Sequence, residues 1–338
     1  MNTSRIAAIL LSGAALLAIP ALAQTAGQAN GRPPPAPFVQ NEESLADTAR
    51  ADALMAKDHK DLDDIGMLCK PLSDIFVKGD TYEIPPASKV FDNLYYVGLG
   101  KVGAWAITTS EGIILIDTLD NTDEAKQYIV GGLQSLGLDP AQIKYIIVSH
   151  GHFDHFGGAK YLQDTYHPHI LMSPADWDLM AKTPKVRNGL QMPDGPAHDM
   201  DVVDGQKLTL GDTTLTLYIT PGHTPGTVSA VIPVKDHGKT YLMSFWGGTA
   251  FSSNLDMLKK YQASVERFGP MVKGQGVQGV ISNHPVFDYS VKKIGEMKAH
   301  PGGKNPFIIG GTNVGLYYEV LDNCLKAQIA RMTPTSGM

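Results

Sequence analysis

The stretch Ile143-Lys144-Tyr145-Ile146-Ile147-Val148, followed at once by Ser149-His150-Gly151-His152-Phe153-Asp154-His155, decides how this chain folds. The first six residues are β-branched or aromatic apart from one lysine, and read as a buried β-strand. Gly157 and Gly158 come next, then a helix-like segment to about Tyr166. The cluster at 150–155 therefore lies on a tight turn at the C-terminal end of a strand, where α/β folds carry their chemistry. Imidazole and carboxylate are the nitrogen and oxygen ligands that zinc prefers. On an extended strand end, residues i and i+2 point the same way, so His150 and His152 grip one ion. Once the chain turns, Asp154 and His155 face a neighbouring position. The spacing predicts a two-metal site with shared walls.

Two further histidines stand in matching contexts. His223 lies in Thr220-Pro221-Gly222-His223-Thr224-Pro225-Gly226, after an alternating strand at 213–219. His284 lies in Ile281-Ser282-Asn283-His284-Pro285, after a short apolar run at 277–281. Gly, Asn and Pro mark both as strand-end turns. Either alone is an ordinary turn histidine; added to the first cluster they complete six ligands, three for each ion.

The pattern His150-x-His152-x-Asp154-His155, then Gly222-His223, then Asn283-His284, resembles the metallo-β-lactamase superfamily. Within that superfamily it is similar to the subclass B3 enzymes. The resemblance covers roughly residues 90–330. It implies an αβ/βα sandwich, two mixed β-sheets flanked by helices. It implies two Zn2+, the first held by His150, His152 and His223, the second by Asp154, His155 and His284. No cysteine stands near a ligand position, against the subclasses with a cysteine on the second zinc. Asp117, at the end of an apolar strand, takes the place of an acid that supports the metal loop in the family; a turn-forming role does not exclude this.

A di-zinc site lowers the pKa of a bound water to about 7 and sets it against a carbonyl. Asp154 would orient that nucleophile as well as bind metal. The implied activity is opening of the β-lactam ring, with a lactone or another cyclic ester or amide as the alternative substrate. One stretch departs from the subclass. Where those enzymes typically carry an Asp-Ser-Leu-Ser-like segment that holds the substrate carboxylate, this chain reads Phe245-Trp246-Gly247-Gly248-Thr249-Ala250-Phe251. Gly248 and Thr249 are candidate substrate contacts through an amide and a hydroxyl; equally, Gly247-Gly248 only makes a turn. Lys101, in a glycine-rich loop beside Trp105, is a candidate carboxylate partner. That loop is either a flap or a hairpin end with a core tryptophan. A di-iron oxygen-reducing protein of this fold would carry a Glu in the first motif, where His152 stands.

The 338 residues are 43% hydrophobic, enough for a sizeable core, and carry a net charge of −6. With no basic run, nucleic acid is not an expected partner; a small-molecule substrate is. Residues 1–23 read as a secretory signal peptide, with Arg5, an apolar stretch at 6–19 and Ala21-Leu22-Ala23 as the cleavage site. Losing Arg5 with that segment takes the charge to −7. The expected address is the bacterial periplasm, without stable membrane insertion; a retained anchor is the alternative. Residues 24–75 read as a flexible leader and N-terminal extension, with a short helix at 42–58, and 76–338 as the catalytic domain. In an oxidising compartment Cys69 and Cys324 pair or stay as two separate thiols. Helices are expected at 123–136, 175–182, 253–268, 287–299 and 315–331, a strand at 240–244, and a loop at 183–200.

Overall fold

Alternation along the strands sets the architecture. The computed structural model describes residues 41–56, 69, 82–187 and 189–333; residues 1–23, read above as a signal peptide, the leader before residue 41 and His59 lie outside them. Helix α1 (Glu42–Met55) is followed by β1 (Ser88–Lys89), β2 (Leu94–Tyr96), β3 (Trp105–Thr109) and β4 (Gly112–Ile116). Helix α2 covers residues 122–135 and is wound as a π-helix over Ala125–Val130. Then come β5 (Ile143–Ile147), α3 (Phe153–Phe156), α4 (Ala159–Tyr166), β6 (His169–Met172) and α5 (Pro174–Ala181). A ribbon of β7 (Val186–Arg187) and β8 (Leu190–Gln191) precedes β9 (Met200–Asp201). The first sheet has the order β1-β2-β3-β4-β5-β6-β9, antiparallel up to β4 and parallel beyond it.

The second sheet is built in sequence order from β10 (Lys207–Leu210), β11 (Thr213–Ile219), β12 (Val228–Asp236), β13 (Lys239–Trp246) and, after α6 (Leu255–Gly274), β14 (Gly279–Ser282). Its last pair is parallel. Helices α7 (Ser290–Ala299) and α8 (Gly311–Met332) close the described chain.

Side chains two apart share a face of a strand. Ile114 and Ile116 of β4 meet Leu215, Leu217, Ile232 and Phe245 between the sheets. Ile113 and Leu115 point the other way, to Ile129, Leu133 and Leu162 of α2 and α4. On the far side Val231, Trp246 and Val280 pack on Tyr261, Phe268 and Leu321 of α6 and α8. The layers run helix, sheet, sheet, helix, which is the expected αβ/βα sandwich. Each fully buried Leu or Ile contributes about 1.5–3 kcal/mol. Trp105 is a core residue, fully buried with its Nε1 donating to Ser282 O at 2.8 Å. The turns after β2, β4, β5, β11, β13 and β14 carry the candidate site residues singled out from sequence.

Several boundaries differ from expectation. The segment 183–200 holds the β7–β8 ribbon and β9, two-residue strands too short to show a period. Strand β13 runs on to Trp246, because Phe245 and Trp246 face opposite cores and both are buried. Helix α6 continues past Pro270 to Gly274: Gly269 lies against Tyr318 and Val272 is buried, so packing offsets the missing N–H. Helix α7 starts at Ser290 rather than 287, because Tyr289 takes a left-handed conformation, φ +60°.

Cys69 and Cys324 form a disulfide, 255 residues apart. By chain entropy a closure of that length is worth roughly 5 kcal/mol. Helix α1 joins α8 as well, with Asn41 Nδ2 donating to Ala330 O at 2.7 Å and Arg331 Nη2 to Thr48 Oγ1 at 2.9 Å. Among the described residues no helix is long and apolar enough to cross a membrane.

Candidate metal centre

The five histidines and one aspartate singled out from the sequence converge in two groups, His150-His152-His223 and Asp154-His155-His284. Within each, one ligand-type atom per residue lies within 4.8 Å of the others. In the first group His152 Nδ1 is 3.0 Å from His223 Nε2, which is 3.1 Å from His150 Nε2. The outer nitrogens are engaged elsewhere. His150 Nδ1 donates to Gly247 O at 3.0 Å, and His223 Nδ1 to Ala250 O at 2.7 Å. A ring nitrogen that donates on one side presents a lone pair on the other, so His150 and His223 turn acceptors inward. Burial, and then the neighbouring imidazoles, hold His150 well below the ordinary histidine range. Burial and His223 bring His152 down to about 3, and burial outweighs the Ala250 carbonyl to bring His223 down to about 4. The rings are neutral, as ligands must be.

The second group is built the same way. His284 Nδ1 donates to Lys101 O at 2.8 Å and His155 Nδ1 to Asp117 Oδ2 at 2.8 Å. Asp154 Oδ2 stands 3.5 Å from His155 Nε2 and 3.8 Å from His284 Nε2. Burial and His155 lower His284 to about 4. Burial opposes the charge on His155, but the Asp154 and Asp117 carboxylates on either side overcome it and raise the group to about 10. Burial likewise opposes the Asp154 carboxylate, and His155 holds it well below its ordinary range. Without an ion, a proton on His155 balances two buried carboxylates; a divalent cation does the same more completely. His155 Nε2 is buried and meets no hydrogen-bond partner. That orphaned nitrogen and the inward lone pairs fit zinc, whose preferred donors these are.

Asp117 fills the supporting place expected of it. It is fully buried with φ +62°. Besides His155 it accepts from Ser149 N at 2.7 Å and Ser149 Oγ at 2.8 Å, tying the end of β4 to the turn after β5. Sequence reading gave no role to three further residues. Ser149 Oγ accepts from Asn283 Nδ2 at 3.0 Å. Asn283 Nδ2 also donates to Gly247 O at 2.7 Å, the carbonyl that orients His150. Asp176, on α5, accepts from Gly151 N at 3.0 Å. Asn283 had a signal, its place beside His284; Asp176 had none, being 21 or more residues from every ligand.

The candidate substrate contacts fall differently. Gly248 is buried, and its carbonyl accepts the Tyr261 hydroxyl. Thr249 is 2% exposed, with an Oγ1 that has no hydrogen-bond partner. Lys101 has an exposed side chain and reaches the centre through its backbone carbonyl. His167, His169, His198, His237 and His300 are exposed and outside both groups.

Asp120, on the turn after β4, is a strained neighbour. Its Oδ1 is buried without a partner, and burial, then Glu124 and Asp154, raise its carboxyl from 3.8 to about 7. With a folded pKa above the unfolded one, the folded chain binds the extra proton between pH ~4 and ~7, so stability falls as pH rises through that window. Asp120→Asn is expected to stabilise the chelated chain by about 1–4 kcal/mol at pH 8, a gain that vanishes below pH ~4. Urea unfolding at pH 8 and pH 4 checks this; an equal effect at both values overturns it.

Comparison with known proteins agrees with this geometry. Residues 97–237 match the family described as the metallo-beta-lactamase superfamily. An N-acyl homoserine lactonase, AttM, of Azorhizobium caulinodans is 27% identical over 177 residues, 48% of this chain and 66% of that protein. A probable polyketide biosynthesis zinc-dependent hydrolase, BaeB, of Bacillus velezensis is 29% identical over 141 residues, 41% of this chain and 51% of that protein. The chain thus spans less than two thirds of the length of either relative. The crystal structure of BJP-1, a subclass B3 metallo-beta-lactamase of Bradyrhizobium japonicum, superposes with a TM-score of 0.61 at 27% identity, covering 75% of this chain and 97% of that one. Ligand-type residues that meet as the motif requires, on a sandwich of this topology, accord with the match of residues 97–237 to the metallo-β-lactamase superfamily and with the chain's structural likeness to a subclass B3 enzyme.

Proposed function

We propose that the protein is a di-zinc hydrolase that opens β-lactam rings. The observation that carries it is the pairing of two three-ligand groups in which four of the five imidazoles give their second nitrogen to a carbonyl or carboxylate. Zinc in these groups would polarise a carbonyl and supply a nucleophilic water at neutral pH. The chain's own part is positional. Asp154 faces His155 Nε2 and His284 Nε2 at 3.5 and 3.8 Å and is ionised, so it would accept a hydrogen bond from an attacking water and aim it. Gly247 O and Ala250 O fix two rings of the first group, and burial keeps the rings neutral. Likeness to a B3 enzyme over nearly its whole length supports a lactam substrate. The lactonase relative supports a lactone as the second reading, since one mechanism serves both carbonyls. Residues 1–23, read as an export signal, favour action in the periplasm, which the N-terminal mass of the exported protein checks.

The test is hydrolysis of a carbapenem, a cephalosporin and an N-acyl homoserine lactone by the protein with zinc, with chelator, and with zinc restored. Lactam turnover that disappears with chelator and returns with zinc is expected. Turnover of the lactone alone moves the assignment to the second reading. No turnover of any of the three with two zincs bound overturns both.

A further inference from the structure

Asp176 is fully buried on the first turn of α5, far in sequence from every ligand. Its two oxygens take three donors from two different loops. Oδ2 accepts from Gly151 N at 3.0 Å and from Thr224 Oγ1 at 2.6 Å; Oδ1 accepts from Gly226 N at 2.9 Å. Gly151 lies between His150 and His152, and Thr224 follows His223. One carboxylate therefore spans the turn of the first sheet and the turn of the second that together supply the first ligand group.

The backbone around it leaves no slack. A Cβ at Gly151 would lie 2.6 Å from Asp176 O and 3.1 Å from Met180 N. A Cβ at Gly226 would lie 1.9 Å from Ser173 Oγ and 3.0 Å from Asp176 Oδ1. Both loops bring a glycine against the start of α5 because only glycine allows that approach. Ser173 caps the helix, with its hydroxyl accepting from Asp176 N at 3.3 Å, and so fixes the carboxylate's base. Neither Asp154, His155 nor His284 touches this arrangement through any of these bonds.

We propose that Asp176 is a positioning residue for the first metal group: it sets the distance between the His150-His152 turn and the His223 turn, and leaves the second group unaffected. This rests on the reading of the two groups as zinc sites. All three partners are donors, so Asp176→Asn must turn its amide N–H2 toward a backbone N–H, at Gly151 or at Gly226. The loops then part on one side. Outer contacts of this kind typically change metal affinity by 10- to 100-fold.

The experiment is stepwise zinc binding by chelator competition on the full chain, wild type against Asp176→Asn, with thermal unfolding of the chelated proteins alongside. The expected result is two zincs on the wild type, and on the variant one zinc of wild-type affinity and one held 10- to 100-fold more weakly. Thr224→Val keeps the shape and removes one donor; it is expected to weaken the same zinc about three- to tenfold, and it decides the matter if Asp176→Asn fails to fold. Both affinities unchanged, or both lowered together, overturns the proposal while the zinc reading stands. A wild type that takes up no zinc overturns the zinc reading itself.

Discussion

A His223→Ala chain is expected to bind one zinc fewer and to lose about a thousandfold in hydrolytic rate. His223 is the second sheet's whole contribution to the first ligand group. Its Nε2 faces a ring nitrogen of each partner, 3.0 Å from His152 Nδ1 and 3.1 Å from His150 Nε2. Without it the group keeps two nitrogens from one turn, one short of the three protein ligands of a catalytic zinc with an open position for substrate. Lewis-acid stabilisation is worth several kcal/mol, and 1.36 kcal/mol is a factor of ten, so a loss near 10³ follows. The second group shares no atom with His223 and keeps its ion. Metal content by mass spectrometry of the folded variant, with turnover of whichever substrate the wild type accepts, checks both halves. Two zincs with undiminished turnover would sink the ligand assignment.

How much of this was legible beforehand depends on the range of the signal. The strand at 143–147 and the ligands after it are local: a β-branched run, a turn and a fixed spacing state them directly. His223 and His284 were legible because glycine, asparagine and proline mark strand ends in a single sequence. The layer order was given by the resemblance, which implied an αβ/βα sandwich. What stayed hidden is carried by contacts between distant segments. Asp176 reaches Gly151 and Gly226 across 25 and 50 residues, and nothing in Pro174-Ala175-Asp176-Trp177 sets that aspartate apart from a first-turn acid that favours the helix dipole. The ribbon at 186–191 was missed because two-residue strands have no period. Thr249 was legible as a hydroxyl near the site but not as a buried one. Its exposure depends on how the turn after β13 packs beside His223, a tertiary matter.

Asp117→Ala is expected to cost about 3–7 kcal/mol of folding stability and to weaken the second zinc by 10- to 100-fold. The carboxylate accepts from Ser149 N, Ser149 Oγ and His155 Nδ1, at 2.7, 2.8 and 2.8 Å. The Ser149 hydroxyl can rotate to another acceptor. The Ser149 amide and the His155 ring cannot, and each buried donor left unmade costs about 1–3 kcal/mol. The backbone adds to this, because φ at 117 is +62°, a region aspartate tolerates and alanine disfavours by about 1 kcal/mol. A loss of this size is a large part of the roughly 5–15 kcal/mol that holds a domain folded. Asp117→Asn separates the two roles. It keeps the left-handed turn and two of the three bonds, so it should recover about half the stability. Its amide still meets a donor, either Ser149 N or His155 Nδ1; if the ring is displaced, the second zinc stays weak. Urea midpoints at unchanged m, with chelator competition on both variants, provide the measurement. A midpoint shift worth under about 1 kcal/mol for Asp117→Ala means that water replaces the carboxylate, and that the turn after β5 is held by Asn283 and Gly247 instead.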